Sequence, residues 1–329
     1  MARDRIIYQS ESVRVDGVTA VGVQSCSYGL DVTREDVLQF GDLGAVDRIV
    51  LEAPVANMEV SLYVNGLAGT KLKEIVDKGV SGTAINCSVS LGPAGADYAS
   101  GDAESTVSVV SGSLTSLSAE ASVGSIPTLT LGFEGTDLSY ANTAAERAAD
   151  PTGNLNVATQ SGVVVLMEGV TGDFIDHYVH PQSCSVSFDL GVEGLQELSY
   201  DTGVLASAGN KFQYARVPSY PATATMELEA FAVDQGMTMT LANLQQKASE
   251  NVAGTTGNAN EGGKCNVGVN MGGTTFRLVN STLDAVSFSS SIGDTAATCN
   301  ATFSVSIGGP ASDSRLDIAG DTGPDYVSP

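Results

Sequence analysis

Apolar and polar residues alternate through most of this chain. The stretch VQSCSYGLDV, Val23 to Val32, sets Cys26, Tyr28, Leu30 and Val32 against Ser25, Ser27, Gly29 and Asp31. The stretch PQSCSVSFDL, Pro181 to Leu190, sets Cys184, Val186, Phe188 and Leu190 against Ser183, Ser185, Ser187 and Asp189. A period of two places successive side chains on opposite faces, so each stretch predicts a β-strand with one buried and one polar face. The two QSCS tetrads stand 158 positions apart (184 − 26). Further echoes follow in the same order. PVANMEVSLYV from Pro54 is matched by PATATMELEAFAV from Pro221, and CSVSLG from Cys87 by CNVGVNMG from Cys265, which aligns the two cysteines at an offset of 178 (265 − 87). Each half closes on paired strands, LTSLSAEASVG with TLTLGF and LDAVSFSSSIG with ATFSVSIG. The pattern predicts a mainly β chain of two tandem antiparallel sandwich or barrel-like domains, residues 1–150 and 151–310. A turn-rich C-terminal arm, 311–329, follows them.

The strand rhythm breaks once in each half. GTKLKEIVDKG carries Leu72, Ile75 and Val76 on one side and ends at Gly79, which predicts a short amphipathic helix. TMTLANLQQKASEN, with Leu241 and Leu244, predicts the equivalent flanking helix in the second half. Apolar periodicity lapses between Ala141 and Gly162, where the halves join, and Gly92 to Gly112 reads as an insertion in the first half.

Composition narrows the function classes. The 329 residues are 42% hydrophobic and 16% charged, with 37 glycines, a profile that suits sheets and turns better than helices. Thirty-eight acidic residues against fifteen basic ones give a net charge of −23, which repels nucleic acid and anionic membranes. The N-terminal MARDRIIYQSES has no apolar core and does not read as a signal peptide, and the run ending at Met167 is too short to span a bilayer. Without a secretory signal the sequons at Asn86, Asn280 and Asn300 carry little meaning. The five cysteines read as small buried hydrophobes of a reducing compartment. No CxxC occurs, and His177 and His180 have no third ligand beside them, so no metal or cofactor is expected.

Catalytic motifs fare poorly. Asp-Thr-Gly occurs at Asp201 to Gly203 and at Asp321 to Gly323, as in the pepsin-like aspartic proteases, whose two carboxylates share a proton across two lobes. Here both triplets fall in the second half, and neither is followed by Ser or Thr: Val204 and Pro324 stand there. GxSxG, a phosphate-cradling GK[ST] loop and HExxH are missing from the sequence. A non-enzymatic role is expected.

The order that occurs twice is a strand, a long turn-rich excursion, an MEV or MEL strand, a helix, a C-x-V strand and a closing hairpin. The excursions run from Thr33 to Val50 and from Glu193 to Val217. In this order the chain resembles the major tail tube proteins of long-tailed bacteriophages, which are similar to the tube protein of type VI secretion. The resemblance implies a virion structural protein, assembled in the host cytoplasm into the tail. Single-domain members form hexameric rings, so a chain with two copies implies a trimer with pseudo-six-fold symmetry. It also implies stacking of rings through the excursions, for which Glu35, Asp36, Phe40, Asp42, Leu43, Glu197, Tyr200, Asp201, Lys211 and Phe212 are candidates. The implied partners are further copies of the chain, other tail proteins at the tube ends, and viral DNA passing without sequence-specific contact; no membrane is implied. Glu59, Glu227 and Glu229 oppose apolar residues on their strands and share one side. That side either lines the channel or is an outer solvated face. The alternatives are another virion or surface β-sandwich, such as a head decoration protein or adhesin, and a hydrolase.

Overall fold

Alternating residues and backbone pairing lay the chain out as strands, and the described residues contain a single α-helix. The computed structural model describes residues 11–41, 43–50, 54–91, 105–141, 163–168, 174–176, 181–195, 215–231, 264–289, 297–308 and 315–319. In chain order the first elements are β1 (Glu11–Val15), β2 (Val18–Thr19), β3 (Val23–Asp31), β4 (Arg34–Leu38), β5 (Ala45–Val50), β6 (Val55–Tyr63) and α1 (Gly69–Ser81). They continue as β7 (Ile85–Leu91), β8 (Ser105–Ser122), β9 (Thr128–Gly135) and β10 (Asp137–Ala141). Then follow β11 (Val163–Glu168), β12 (Phe174–Asp176), β13 (Pro181–Asp189), β14 (Val192–Leu195) and β15 (Ala215–Pro218). The last are β16 (Ala222–Phe231), β17 (Lys264–Met271), β18 (Thr275–Ser289), β19 (Thr298–Ile307) and β20 (Leu316–Ala319). All pairings are antiparallel.

The pairing scheme repeats. Among the first ten strands β1 pairs with β2 and β7, β8 with β7, β9 and β10, β6 with β3 and β9, and β4 with β5. Each of these pairings has a counterpart ten strands further on. Irregularities recur as well. Register shifts at Val23/Ser25, Ile85/Cys87 and Leu114/Ser116 match those at Pro181/Ser183, Cys265/Val267 and Leu283/Ala285. Ser111 and Asn280, at equivalent points of β8 and β18, both have positive φ, +52° and +56°. Non-glycine residues enter that region at a cost, and bulges bend the strand that carries them. The two long strands therefore serve two layers: the first part of each pairs with β7 or β17, the second with β9 or β19.

These registers correct the sequence alignment in one place. Ile85 lies opposite Gly112 and Cys265 opposite Ser281, so Cys265 takes the place of Ile85, and Val267 that of Cys87. The true offset is two residues larger than the matched cysteines suggest, and parity hides the slip. The interval read as an insertion is partly regular: 105–112 open β8, while 92–104 lie outside the described residues. Within the expected C-terminal arm, β20 pairs with β18 and buries Leu316 and Ile318. The helix expected at Leu241 and Leu244 and the join at 142–162 also lie outside the described residues.

One apolar cluster runs through both halves, from Val13, Met58 and Phe133 to Phe188, Met226 and Phe303. The expected helix is α1, whose buried face is Leu72, Ile75, Val76 and Val80. It ends where Gly82 adopts φ +71° and the Thr83 N–H donates to Lys78 O at 2.8 Å, a C-terminal cap that glycine permits. Gly79 lets it approach the sheet: a Cβ there would stand 3.0 Å from Leu114 Cβ. A charged knot ties the helix to the β1–β2 turn. Lys71 Nζ and Lys78 Nζ each lie 2.6 Å from Asp16 Oδ2, and Glu74 bridges both lysines at 2.9 and 3.0 Å. Burial works to raise the Asp16 pKa, but the two ammonium groups outweigh it and hold the carboxyl below its ordinary value of 3.8.

The Asp16→Asn substitution should lower stability by roughly 2 kcal/mol at neutral pH, the scale of hydrogen bonds to charged groups. A depressed carboxylate stabilises the fold above its unfolded pKa, and that contribution is lost as pH falls through the folded value. Urea melts should accordingly separate variant from wild type at pH 7 and bring them together in acid below pH 3.8.

Candidate functional site

Eight strand segments form one continuous sheet in the order β3, β6, β9, β8, β13, β16, β19, β18, using 113–122 of β8 and 282–289 of β18. The core face carries Met58, Val60, Leu62, Leu117, Leu131, Phe133, Val186, Phe188, Met226 and Phe303, all buried. Cross-strand partners share a face, so the ladders assign the other side without ambiguity. One row reads Glu120, Ser185, Glu227, Thr302, and the next Ser122, Ser183, Glu229, Asn300, Ser287. A third joins Ser27, Glu59, Gly132, Ser116, Asp189 and Thr223.

Glu59, Glu227 and Glu229 thus lie together on the face turned away from the core, as strand parity requires. Glu59 and Glu227 are exposed; Glu229 is half-buried and accepts a 3.1 Å hydrogen bond from Ser183 Oγ. Glu120, exposed on the same face, escaped the sequence reading, although its place in LTSLSAEASVG opposite Leu117 and Ala119 was the available signal. Hydroxyls fill the space between carboxylates; Ser187 and Thr225 sit 2.6 Å apart. None of the eight segments contains a Lys or Arg. At one end Arg216, from β15, reaches Glu134 at 2.9 Å.

The sheet ends in two edges. β3 pairs with β6 on one side, and among the described strands none lies on its other side. Residues 285–289 of β18 pair with β19, and again no described strand lies beyond. The position equivalent to each of these edges is filled within the chain, where β13 pairs with β8 from Ser183↔Ser122 to Asp189↔Ser116. This seam distinguishes β13 from β3, a strand of nearly equal sequence. On β13, Val186 and Phe188 are 0% exposed; on β3, Tyr28 and Leu30 are 39% and 42% exposed. The expectation that the apolar side of VQSCSYGLDV is buried therefore holds only for its second copy, because β8 covers β13 and no described strand covers β3.

Of the stacking candidates, Glu35 and Asp36 are exposed on β4, and Phe40 and Leu43 project fully into solvent at the tip of the β4–β5 hairpin. Arg48 pairs with Asp36 across that hairpin. Asp42, Glu197, Tyr200, Asp201, Lys211 and Phe212 lie outside the described residues, as do His177, His180 and Asp321. The corresponding β14–β15 ribbon, though largely exposed, makes contacts with the first half. Besides the Arg216 contact, the Tyr220 hydroxyl donates to Val80 O at the end of α1.

Burial pushes the Cys184 thiol up to about 12 and raises those of Cys87 and Cys299, so all three stay protonated and unreactive at neutral pH. Cys87, Cys184 and Cys299 are free thiols. Among the described residues no three His, Cys, Asp or Glu side chains gather as a metal site. No helix among them is long and apolar enough to cross a membrane.

No protein-family model matches the chain, and no curated protein matches it. The functional reading rests on the sheet itself.

The unequal burial of the repeated strand has a direct consequence. Phe188→Ala should cost roughly 3–5 kcal/mol, as for other fully buried aromatic truncations. Leu30→Ala, at the equivalent position, should cost under about 1 kcal/mol at concentrations where the chain is monomeric. Denaturant melts of the two variants compare them directly.

Proposed function

We propose that the protein is the structural subunit of a phage tail tube. Three copies, each carrying two equivalent tube modules, close into a pseudo-hexameric ring, and rings stack into a channel through which the genome passes. The observation that carries this reading is the eight-segment sheet, polar and acidic on one face, with no Lys or Arg in its segments and no further described strand at either side. Unpaired edges expose rows of backbone donors and acceptors, and cyclic closure satisfies them. A closed ring turns the bare polar face inward, where Glu59, Glu120, Glu227 and Glu229 line the channel. Phosphate binding grows with every cation offered, whereas an acidic, hydroxyl-rich wall repels DNA weakly and lets it slide. The apolar tip at Phe40 and Leu43 supplies a stacking contact toward the adjacent ring.

Negative-stain microscopy with native mass measurement tests the reading. Rings of three chains, stacking into tubes at higher concentration, are expected. Discrete monomers at every concentration, with no assembly on a tail initiator complex, would overturn it in favour of another virion or surface β-sandwich protein.

The lining makes its own prediction. Tubes carrying Glu59→Lys, Glu227→Lys and Glu229→Lys together should retain double-stranded DNA that wild-type tubes exclude. For six phosphate contacts that retention should fall about 10³-fold between 50 and 200 mM salt. Filter retention of labelled fragments measures both.

A further inference from the structure

The seam inside the chain is a template for a seam between chains. β13 meets β8 with Asp189 opposite Ser116, Phe188 opposite Leu117, Ser187 opposite Ser118, and Ser185 opposite Glu120. The pairings with β6 and β16 make Cys26 equivalent to Cys184, because Val60 and Leu228 face them and Met58 and Met226 follow. Likewise Phe133 and Phe303 occupy matching positions, facing Met58 and Met226, so Leu114 corresponds to Leu283 and Leu117 to Val286. The outer edge of β3 is thus the counterpart of the β13 edge that β8 fills, and the edge of β18 at 285–289 is the counterpart of the β8 edge that β13 fills.

We propose that β3 of one copy pairs antiparallel with β18 of the next in this register: Asp31 opposite Ala285, Leu30 opposite Val286, Gly29 opposite Ser287, and Ser27 opposite Ser289. The partner is a second copy of this chain. The pairing deepens the ring reading and rests on it.

Three further observations fit that occupant. Natural sheet edges are commonly blunted by Lys or Pro, and neither residue occurs in Val23–Asp31 or in 282–289. Leu30 is 42% exposed where its counterpart Phe188 is sealed, and Val286 is only partly buried where Leu117 is 1% exposed, so the two apolar positions that would meet are those left uncovered in a single copy. A Cβ added to Gly29 would meet nothing within 4 Å, so the strand has room on its polar side for a neighbour opposite Ser287.

Cysteine pairs read the register. Directly opposed residues come within disulfide reach, whereas a shift of two places them about 7–8 Å apart, beyond it. Gly29→Cys combined with Ser287→Cys, oxidised at ring-forming concentration, should give covalent dimers and trimers on a denaturing gel. Gly29→Cys with Ser289→Cys should give at least tenfold less, and the wild-type chain none. Mixing the two single variants should yield dimers that neither yields alone. Rings in the microscope that cross-link only through the shifted pair, or through neither, overturn the register and leave the ring standing. Absence of both rings and cross-links overturns the ring reading and the register with it. Cross-linking in the proposed register into open filaments upholds the pairing and removes the three-fold closure.

Discussion

Backbone amides and carbonyls at the border of a sheet need partners; among the described strands β8 meets that need for β13, while none lies beyond β3 or beyond 285–289 of β18. The pairing of β13 with β8 joins the halves into a single sheet. It seals Val186 and Phe188 and makes one apolar cluster out of what the sequence presents as two repeats. Everything else in the architecture is arranged around that seam. The same scheme of pairings stands on either side of it, so the chain ends its sheet with the two surfaces the seam would otherwise have consumed. A repeat that joins its own copy head to tail carries the rule for adding the next copy, and the rotation between copies decides whether the series closes or continues.

Long strands that change layers make this possible. β8 and β18 each turn at a residue with positive φ, Ser111 or Asn280, just before a bulge. Beyond the turn each joins the main sheet; before it, each joins the strands that cover the apolar side. Among the described residues β1, β7 and α1 close the core from that side in the first half. The Asp16 knot fixes α1 to the β1–β2 turn, and Asn65 crosses between halves, its Nδ2 donating to Gly272 O at 2.7 Å. These contacts concentrate rigidity behind the sheet.

Much of this was legible in the residues. Period two marked the strands, the 3.6-residue spacing of Leu72, Ile75 and Val76 marked α1, and parity placed Glu59, Glu227 and Glu229 on one side. Two things escaped. Cys87 and Cys265 look equivalent because both open an alternating run, but register is set by the bulge, which precedes Cys87 and follows Cys265, and a slip of two residues leaves every side chain on its proper face. Exposure of Tyr28 and Leu30 was hidden for a different reason. Alternation reports which side of a strand is apolar; it carries no information on whether a neighbouring strand exists to extend the core over it. That is a property of the partner, and for β13 the partner is a strand more than sixty residues earlier in the chain.

The sign of the polar face points the same way as its edges. A face that only meets solvent tolerates Lys as readily as Glu, and the chain has fifteen basic residues to distribute. Yet the eight segments carry carboxylates about as often as the rest of the sequence and no cation at all, although long Lys stems pack well on a sheet. The exclusion spans both halves and strands distant in sequence, so it acts on the surface as a unit rather than on any one contact. On the proposed reading a polyanion passes close to that surface without stopping there, and that passage accounts for the restriction.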